Sequence, residues 1–180
     1  RSRRRITPPL GFFPRFLTAA NDSLYLQGFD PVAGAQLFKS DGITTAMVAD
    51  INGTASSYPS LLTAVGSRLF FEAGDASGSQ LWTTDTLTGA TTKLTSNNVS
   101  GGGSMPANLT PVGKELFFSA YDPANGYQLW ESDGTTTGTI RLTSGNAAGL
   151  GFNPGGLTAV GNELFFSAKH GNYTLSATRP

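Results

Sequence analysis

Residues 116–139 read LFFSAYDPANGYQLWESDGTTTGT, and the rest of the chain repeats this stretch with varying fidelity. Gln-Leu-Trp at 128–130 has counterparts in QLW at 80–82 and QLF at 36–38. The LFF triplet at 116–118 returns at 69–71 and 164–166, with LYL at 24–26. Pro14, Pro59, Pro106 and Pro154 each stand four positions before a Thr, at spacings of 45, 47 and 48 residues. The same register aligns LTAA (17–20), LTAV (62–65), LTPV (109–112) and LTAV (157–160). A period of this length suits a four-stranded propeller blade and is too long for leucine-rich or ankyrin repeats.

The third copy predicts strands at 108–112, 115–120, 127–132 and 139–143. Gly113-Lys114 signals a two-residue hairpin. Asp122 to Gly126 is a turn by composition, and Asp133-Gly134 opens another. Helical periodicity is weak throughout. Leu116, Phe117 and Phe118 are apolar on consecutive positions, the mark of a strand buried on both faces. A sandwich strand with one wet face would alternate. Stacked blades bury both faces of each sheet, so the reading is an all-β propeller with Trp82, Trp130 and Phe38 packing between blades.

The strand count gives three full blades from about residue 14, then a fourth lacking its last strand. Segment 3–7 precedes FFP (12–14) as 139–143 precedes FNP (152–154). Residues 1–9 are therefore expected to complete the last blade. This closes four blades of four antiparallel strands into a ring and hides the open edge. The expected repeats run 14–58, 59–105, 106–153 and 154–180 with 1–9, in one domain. A cut from a longer array, or half of a larger ring completed by dimerisation, is the rival arrangement.

Composition bounds the function. The chain of 180 residues has 38% hydrophobic and 13% charged residues, 23 Gly and no Cys. It is long enough for a core and holds no disulfide or Cys-based zinc site. Lys plus Arg and Asp plus Glu each number 12, but Arg1, Arg3, Arg4 and Arg5 crowd the start. The remainder carries eight basic against twelve acidic residues, so no basic face for nucleic acid follows. No run of 18 apolar residues offers a membrane span. The start, without Met or an apolar leader, is read as that of a processed or excerpted chain.

Residues 128–139, QLWESDGTTTGT, resemble the ELWxxDGT repeat, found in tandem in predicted extracellular proteins. The copy at 36–46 keeps Asp41-Gly42 and lacks the Trp; the copy at 80–90 lacks the Asp-Gly pair. The resemblance covers nearly all the chain from about residue 14. It implies a propeller-like stack of blades in a surface or secreted setting and no established activity.

Catalytic and metal chemistry find little support in the residues. His170 is the single His, whereas a triad needs one beside a nucleophile and an acid. Glycoside hydrolysis needs paired carboxylates, and the acids here stand singly in turns. Asp41, Asp85 and Asp133 recur at one turn, where a short carboxylate bonds backbone amides two residues on. Calcium needs six or more oxygen ligands, and no D-x-D-x-D-G loop occurs; it stays the one cofactor alternative. Gly101 to Gly103 lack the Lys of a phosphate loop.

The longer, more divergent loops fall at one end of the expected ring, the usual place for binding on a rigid scaffold. Phe29, Asp30, Tyr58, Asp75, Tyr121, Asp122 and Asn125 are its candidate ligand or partner residues, with Tyr127 and Tyr173 able to stack as well. Asn21, Asn52, Asn98, Asn108 and Asn172 begin Asn-x-Ser/Thr triplets and are candidate glycosylation acceptors. The expectation is a non-enzymatic extracellular or cell-surface module for adhesion or assembly. Its partner would be a protein or glycan surface. A lectin-like propeller and a hydrolase at the channel mouth are the alternatives.

Overall fold

The computed structural model describes residues 11–96, 102–144, 151–169 and 171–176, the last segment as backbone. Described residues form no helix. Four antiparallel meanders follow one another in chain order. The first joins β1 (Arg15–Ala20), β2 (Ser23–Asp30), β3 (Gly34–Ser40) and β4 (Thr45–Ala49). The second joins β5 (Ser60–Val65), β6 (Arg68–Asp75), β7 (Gly78–Asp85) and β8 (Thr91–Lys93). The third joins β9 (Ala107–Val112), β10 (Glu115–Asp122), β11 (Gly126–Ser132) and β12 (Ile140–Arg141). The fourth has three strands, β13 (Gly155–Val160), β14 (Glu163–Ala168) and β15 (Gly171–Ser176).

The sheets stack face to face, as the LFF triplets predict. Leu69, Phe70 and Phe71 are all fully buried, because Phe70 faces the third sheet while Leu69 and Phe71 face the first. Leu116, Phe117 and Phe118 repeat this one sheet on. Trp82 packs on the joint between sheets one and two, and Trp130 on the joint between two and three. Phe38 differs: it packs with Phe12 and Leu26 on the outer side of the first sheet.

The QLW triplet earns its recurrence through Gln. Gln36, Gln80 and Gln128 are fully buried. Each side-chain amide donates to the carbonyl three residues upstream, on Ala33, Ser77 or Asn125. Each side-chain carbonyl accepts a hydroxyl from the connection to the next sheet: Ser57, Thr95 or Thr143. A buried amide needs such partners, and here they tie a hairpin to the connection that leaves the sheet. The indole N–H groups of Trp82 and Trp130 donate to Ala73 and Ala120 carbonyls at 3.2 and 3.3 Å.

Strands β1, β5, β9 and β13 neighbour one another in succession as the innermost strands. The Thr of each LTA or LTP motif sits here, and two of them reach across. Thr18 Oγ1 donates to the Leu62 carbonyl at 3.0 Å, and Thr110 Oγ1 to the Leu157 carbonyl at 3.3 Å.

The expected ring closure is not shown. The closing strand falls within residues 1–9, which lie outside the described residues. No packing comparable to that of β1 on β5 joins β13 to β1.

Candidate functional site

Two sets of backbone outliers repeat from sheet to sheet. Phe13, Tyr58, Met105 and Asn153 immediately precede the repeated prolines, and each has φ between 40° and 49°. Phe16, Leu61, Asn108 and Gly156, three residues further on, have φ between 51° and 62°. The second set marks a bulge at one place in every innermost strand, where the pairing register shifts. Left-handed backbone costs a bulky L-residue about 1–2 kcal/mol, and such strain persists only where the surroundings impose it.

The connections supply that constraint. The Ser57 and Tyr58 amides donate to the Ala35 carbonyl of the preceding sheet, while the Ser57 carbonyl accepts from Gly74 of its own. Met105 N–H donates to Ser79, and the Ser104 carbonyl accepts from Tyr121. The Phe152 and Asn153 amides donate to Tyr127, and the Phe152 carbonyl accepts from Lys169. Each connection is thus pinned between two sheets, and the residue before Pro is turned outward. Phe13 is 74% and Tyr58 67% exposed, and Met105 is exposed too.

These residues stand where the innermost strands begin. The bulge residues and their neighbours line a cavity of about 480 Å³, with Phe16 and Leu17 from β1, Leu61 and Leu62 from β5, and Asn108 and Leu109 from β9. Thr18 and Thr63 line it as well, so its wall mixes apolar side chains with hydroxyls and the Asn108 amide. On the third sheet, Tyr121 and Tyr127 meet edge to face at 5.3 Å, and the Tyr127 hydroxyl lies 3.7 Å from Met105 Sδ.

Of the seven residues expected on the binding face, Phe29 and Tyr58 are exposed. The acids are engaged in their own hairpins. Asp30 accepts from the Ala33 and Val32 amides, which hold its carboxyl below the usual range. Asp75 is pushed up by burial, but the hydrogen bonds and charge from Lys93 and Ser77 outweigh this and lower it; Lys93 Nζ is 2.8 Å away. Asp122 is likewise raised by burial and lowered on balance by Asn125 and by Arg141, whose Nη1 is 2.8 Å away.

Asp41, Asp85 and Asp133 cap the opposite turns by bonding amides two or three residues on, as expected for short carboxylates. Among the described residues no three His, Cys, Asp or Glu side chains gather as a metal site. His170 lies outside the described residues.

The candidate acceptor Asn residues are differently placed. Asn21, in the β1–β2 hairpin, donates to Thr86 Oγ1 of the second sheet at 2.6 Å. Asn52 is half-buried in the loop after β4. Asn108 bonds Ser119 Oγ at 3.0 Å and lines the axial cavity. Asn172 lies in β15, and Asn98 is outside the described residues. What the sequence reading missed is the ring of residues before Pro as a set. The repeated Pro marks the place, but a residue before Pro is ordinarily pushed to extended backbone, so the left-handed conformation was not readable from it.

No family model matches the chain, and no curated protein matches it. Solved structures do resemble it. A putative TolB from Agrobacterium tumefaciens superposes with a TM-score of 0.53 at 12% identity, over 82% of this chain and 50% of that one. A chain of a nidogen/laminin complex gives 0.53 at 14% identity, over 93% of this chain and 62% of that one. The GH74 xyloglucanase from Xanthomonas campestris gives 0.54 at 16% identity, over 87% of this chain and 26% of that one. The chain thus spans about half to three fifths of the first two and a quarter of the third. These likenesses show a propeller-like all-β fold and stop there. Among the described residues no helix is long and apolar enough to cross a membrane.

Proposed function

We propose that the chain is a non-enzymatic extracellular or cell-surface propeller module that serves adhesion or assembly, in keeping with its resemblance to ELWxxDGT repeats. Its blades complete a ring at a joint between the fourth sheet and the first. The observation that carries the interaction role is the set Phe13, Tyr58 and Met105, exposed on left-handed backbone where the innermost strands begin. Backbone strain that places large apolar side chains in solvent favours a binding surface over a packing role. The hairpin aspartates support a non-enzymatic reading, since their carboxylates are engaged in turn formation. A hydrolase at the channel mouth is the weaker alternative.

The pair Tyr121 and Tyr127 beside Met105 favours a second reading, a glycan-binding face on which sugar rings stack. A panel of sugars at millimolar concentration, titrated against the chain and its Tyr58→Asn and Tyr127→Ala variants, separates the two. Binding lost in both variants favours the lectin. Absence of sugar binding, with attachment to an extracellular surface lost in the variants, favours the adhesion module. Turnover of chromogenic ester or glycoside substrates by the purified chain overturns the non-enzymatic reading.

A further inference from the structure

The three described joints between sheets use one set of repeat positions. The preceding sheet supplies Ala20, Val65 or Val112 with Tyr25, Phe70 or Phe117. The following sheet supplies Leu69, Leu116 or Leu164 with Phe71, Phe118 or Phe166. All twelve are buried. The next members of these series are Val160 and Phe165 on the fourth sheet, and Leu24 and Leu26 on the first.

Those four positions do not form a fourth joint. Val160 is 59% and Phe165 39% exposed, whereas Val112 and Phe117 are each 2% exposed. Leu24 and Leu26 border a hollow of about 130 Å³ that Leu17 also lines; Leu26 is buried at its base against Phe12 and Phe38, and Leu24 packs beside them. Leu17 is exposed, as are Phe13 and Phe29 along a larger adjoining cleft of about 350 Å³ floored by Phe12 and Phe38. One end of the row of sheets thus offers a projecting Val-Phe pair, and the other an apolar hollow.

We infer that the Val160–Phe165 face of one copy docks head to tail into the Leu24–Leu26 hollow of a second copy, completing the propeller ring between chains. This rests on the proposed reading of an assembly module whose ring closes at this joint. The repeats identify the occupant: at all three described joints, the pair equivalent to Leu24 and Leu26 is covered by the pair equivalent to Val160 and Phe165. Along this row β13 does not pack on β1 as β1 packs on β5. The surfaces that meet are different, so the contact is heterologous and needs closure to stay finite.

The main chain follows the same series. Ala35, Ser79 and Tyr127 carbonyls each accept from the connection ahead of the following sheet. By strand register the corresponding position on the fourth sheet is 170, outside the described residues, and the amides that follow in the series are those of Phe12 and Phe13.

The test is the mass of the full chain in solution by light scattering and sedimentation over a concentration series. The expected mass is twice the chain's 18.8 kDa. Phe165→Glu and Leu17→Glu, both at exposed positions, each give monomers with unchanged far-ultraviolet dichroism. Mixing the two variants restores a dimer, because one intact face of each kind remains. A monomeric wild type, or a mixture that stays monomeric, overturns the inference. In a monomeric wild type, Phe165→Glu then reads the ring itself. A melting temperature lowered by several degrees places the joint within one chain; an unchanged one removes the ring reading as well.

Discussion

Thr143 Oγ1 donates to the side-chain carbonyl of Gln128 at 2.7 Å while accepting the Leu129 amide at 3.0 Å, so one hydroxyl bridges a buried side chain and a buried backbone group. Thr95 does the same for Gln80 and the Leu81 amide, at 2.8 and 2.9 Å. Gln128→Leu takes the donor from the Asn125 carbonyl and the acceptor from the Thr143 hydroxyl, which keeps the Leu129 amide. A buried group left unsatisfied costs about 1–3 kcal/mol. Urea denaturation should show that loss for Gln128→Leu and a similar one for Thr143→Val. The double variant should lose less than the sum of the two, since they break one network. Additive losses would mean the two side chains act independently.

The turn aspartates set a dependence on acid. Asp30, Asp41, Asp75, Asp85, Asp122 and Asp133 all have carboxyl groups held below the ordinary value. A lowered folded-state pKa means stability fully present above the unfolded value of about 3.9 and lost as pH falls through the lower folded value. The melting temperature is therefore expected to be level from pH 7 to about 5 and to drop below about 4. Asp75→Asn and Asp122→Asn should each shrink that drop while lowering the melting temperature at pH 7. A melting temperature that rises on acidification would contradict the sign.

Local chemistry made much of this legible in advance. Three apolar residues in a row on β6 and β10 can only be satisfied by two buried faces, so sheet stacking followed from sequence. Asp-Gly pairs gave the turns for the same reason. Closure did not follow, because it depends on angles accumulated over three joints, which no short motif encodes. The left-handed bulge was hidden by residue type: Phe16 and Leu61 are poor choices there, and only Asn108 and Gly156 fit the rule. The buried Gln was visible as a repeat, yet its polarity suggests solvent until the upstream carbonyl and the hydroxyl that it bonds are seen together.

Strain and binding can be separated at Tyr58. The equivalent residue on the fourth sheet is Asn153, which tolerates left-handed backbone through its short polar side chain. Tyr58→Asn relieves part of that strain, about 1 kcal/mol, and removes a largely exposed ring. It should raise the melting temperature by about 2–4 °C, the shift such an energy gives in a chain of this size. Attachment to the partner surface should fall in the same variant. A fall in melting temperature would show instead that the ring packs, and the interaction reading of this position would be withdrawn.

Gly28 offers a sharper packing test. A Cβ built there collides with the Phe12 ring and lies 2.8 Å from Phe38 Cδ2. Phe12 and Phe38 meet edge to face at 4.8 Å, filling the space that the missing side chain leaves. Sheets two and three carry Ala73 and Ala120 at this position, with Ser57 and Ser104 where the first has Phe12. Gly28→Ala alone should therefore destabilise by about 1–3 kcal/mol, the usual cost of overpacking. Phe12→Ser alone should lose the aromatic contact and leave a void beside Leu26. Combined, the two recreate the pairing of the second and third sheets, and the double variant should be more stable than the sum of the single losses predicts. Since Phe12 also floors the cleft at the proposed joint, the double variant should weaken association between copies even where its fold is restored. Simple additivity, measured by urea midpoints, would mean that the backbone shifts to admit the methyl group and that Phe12 does not dictate the glycine.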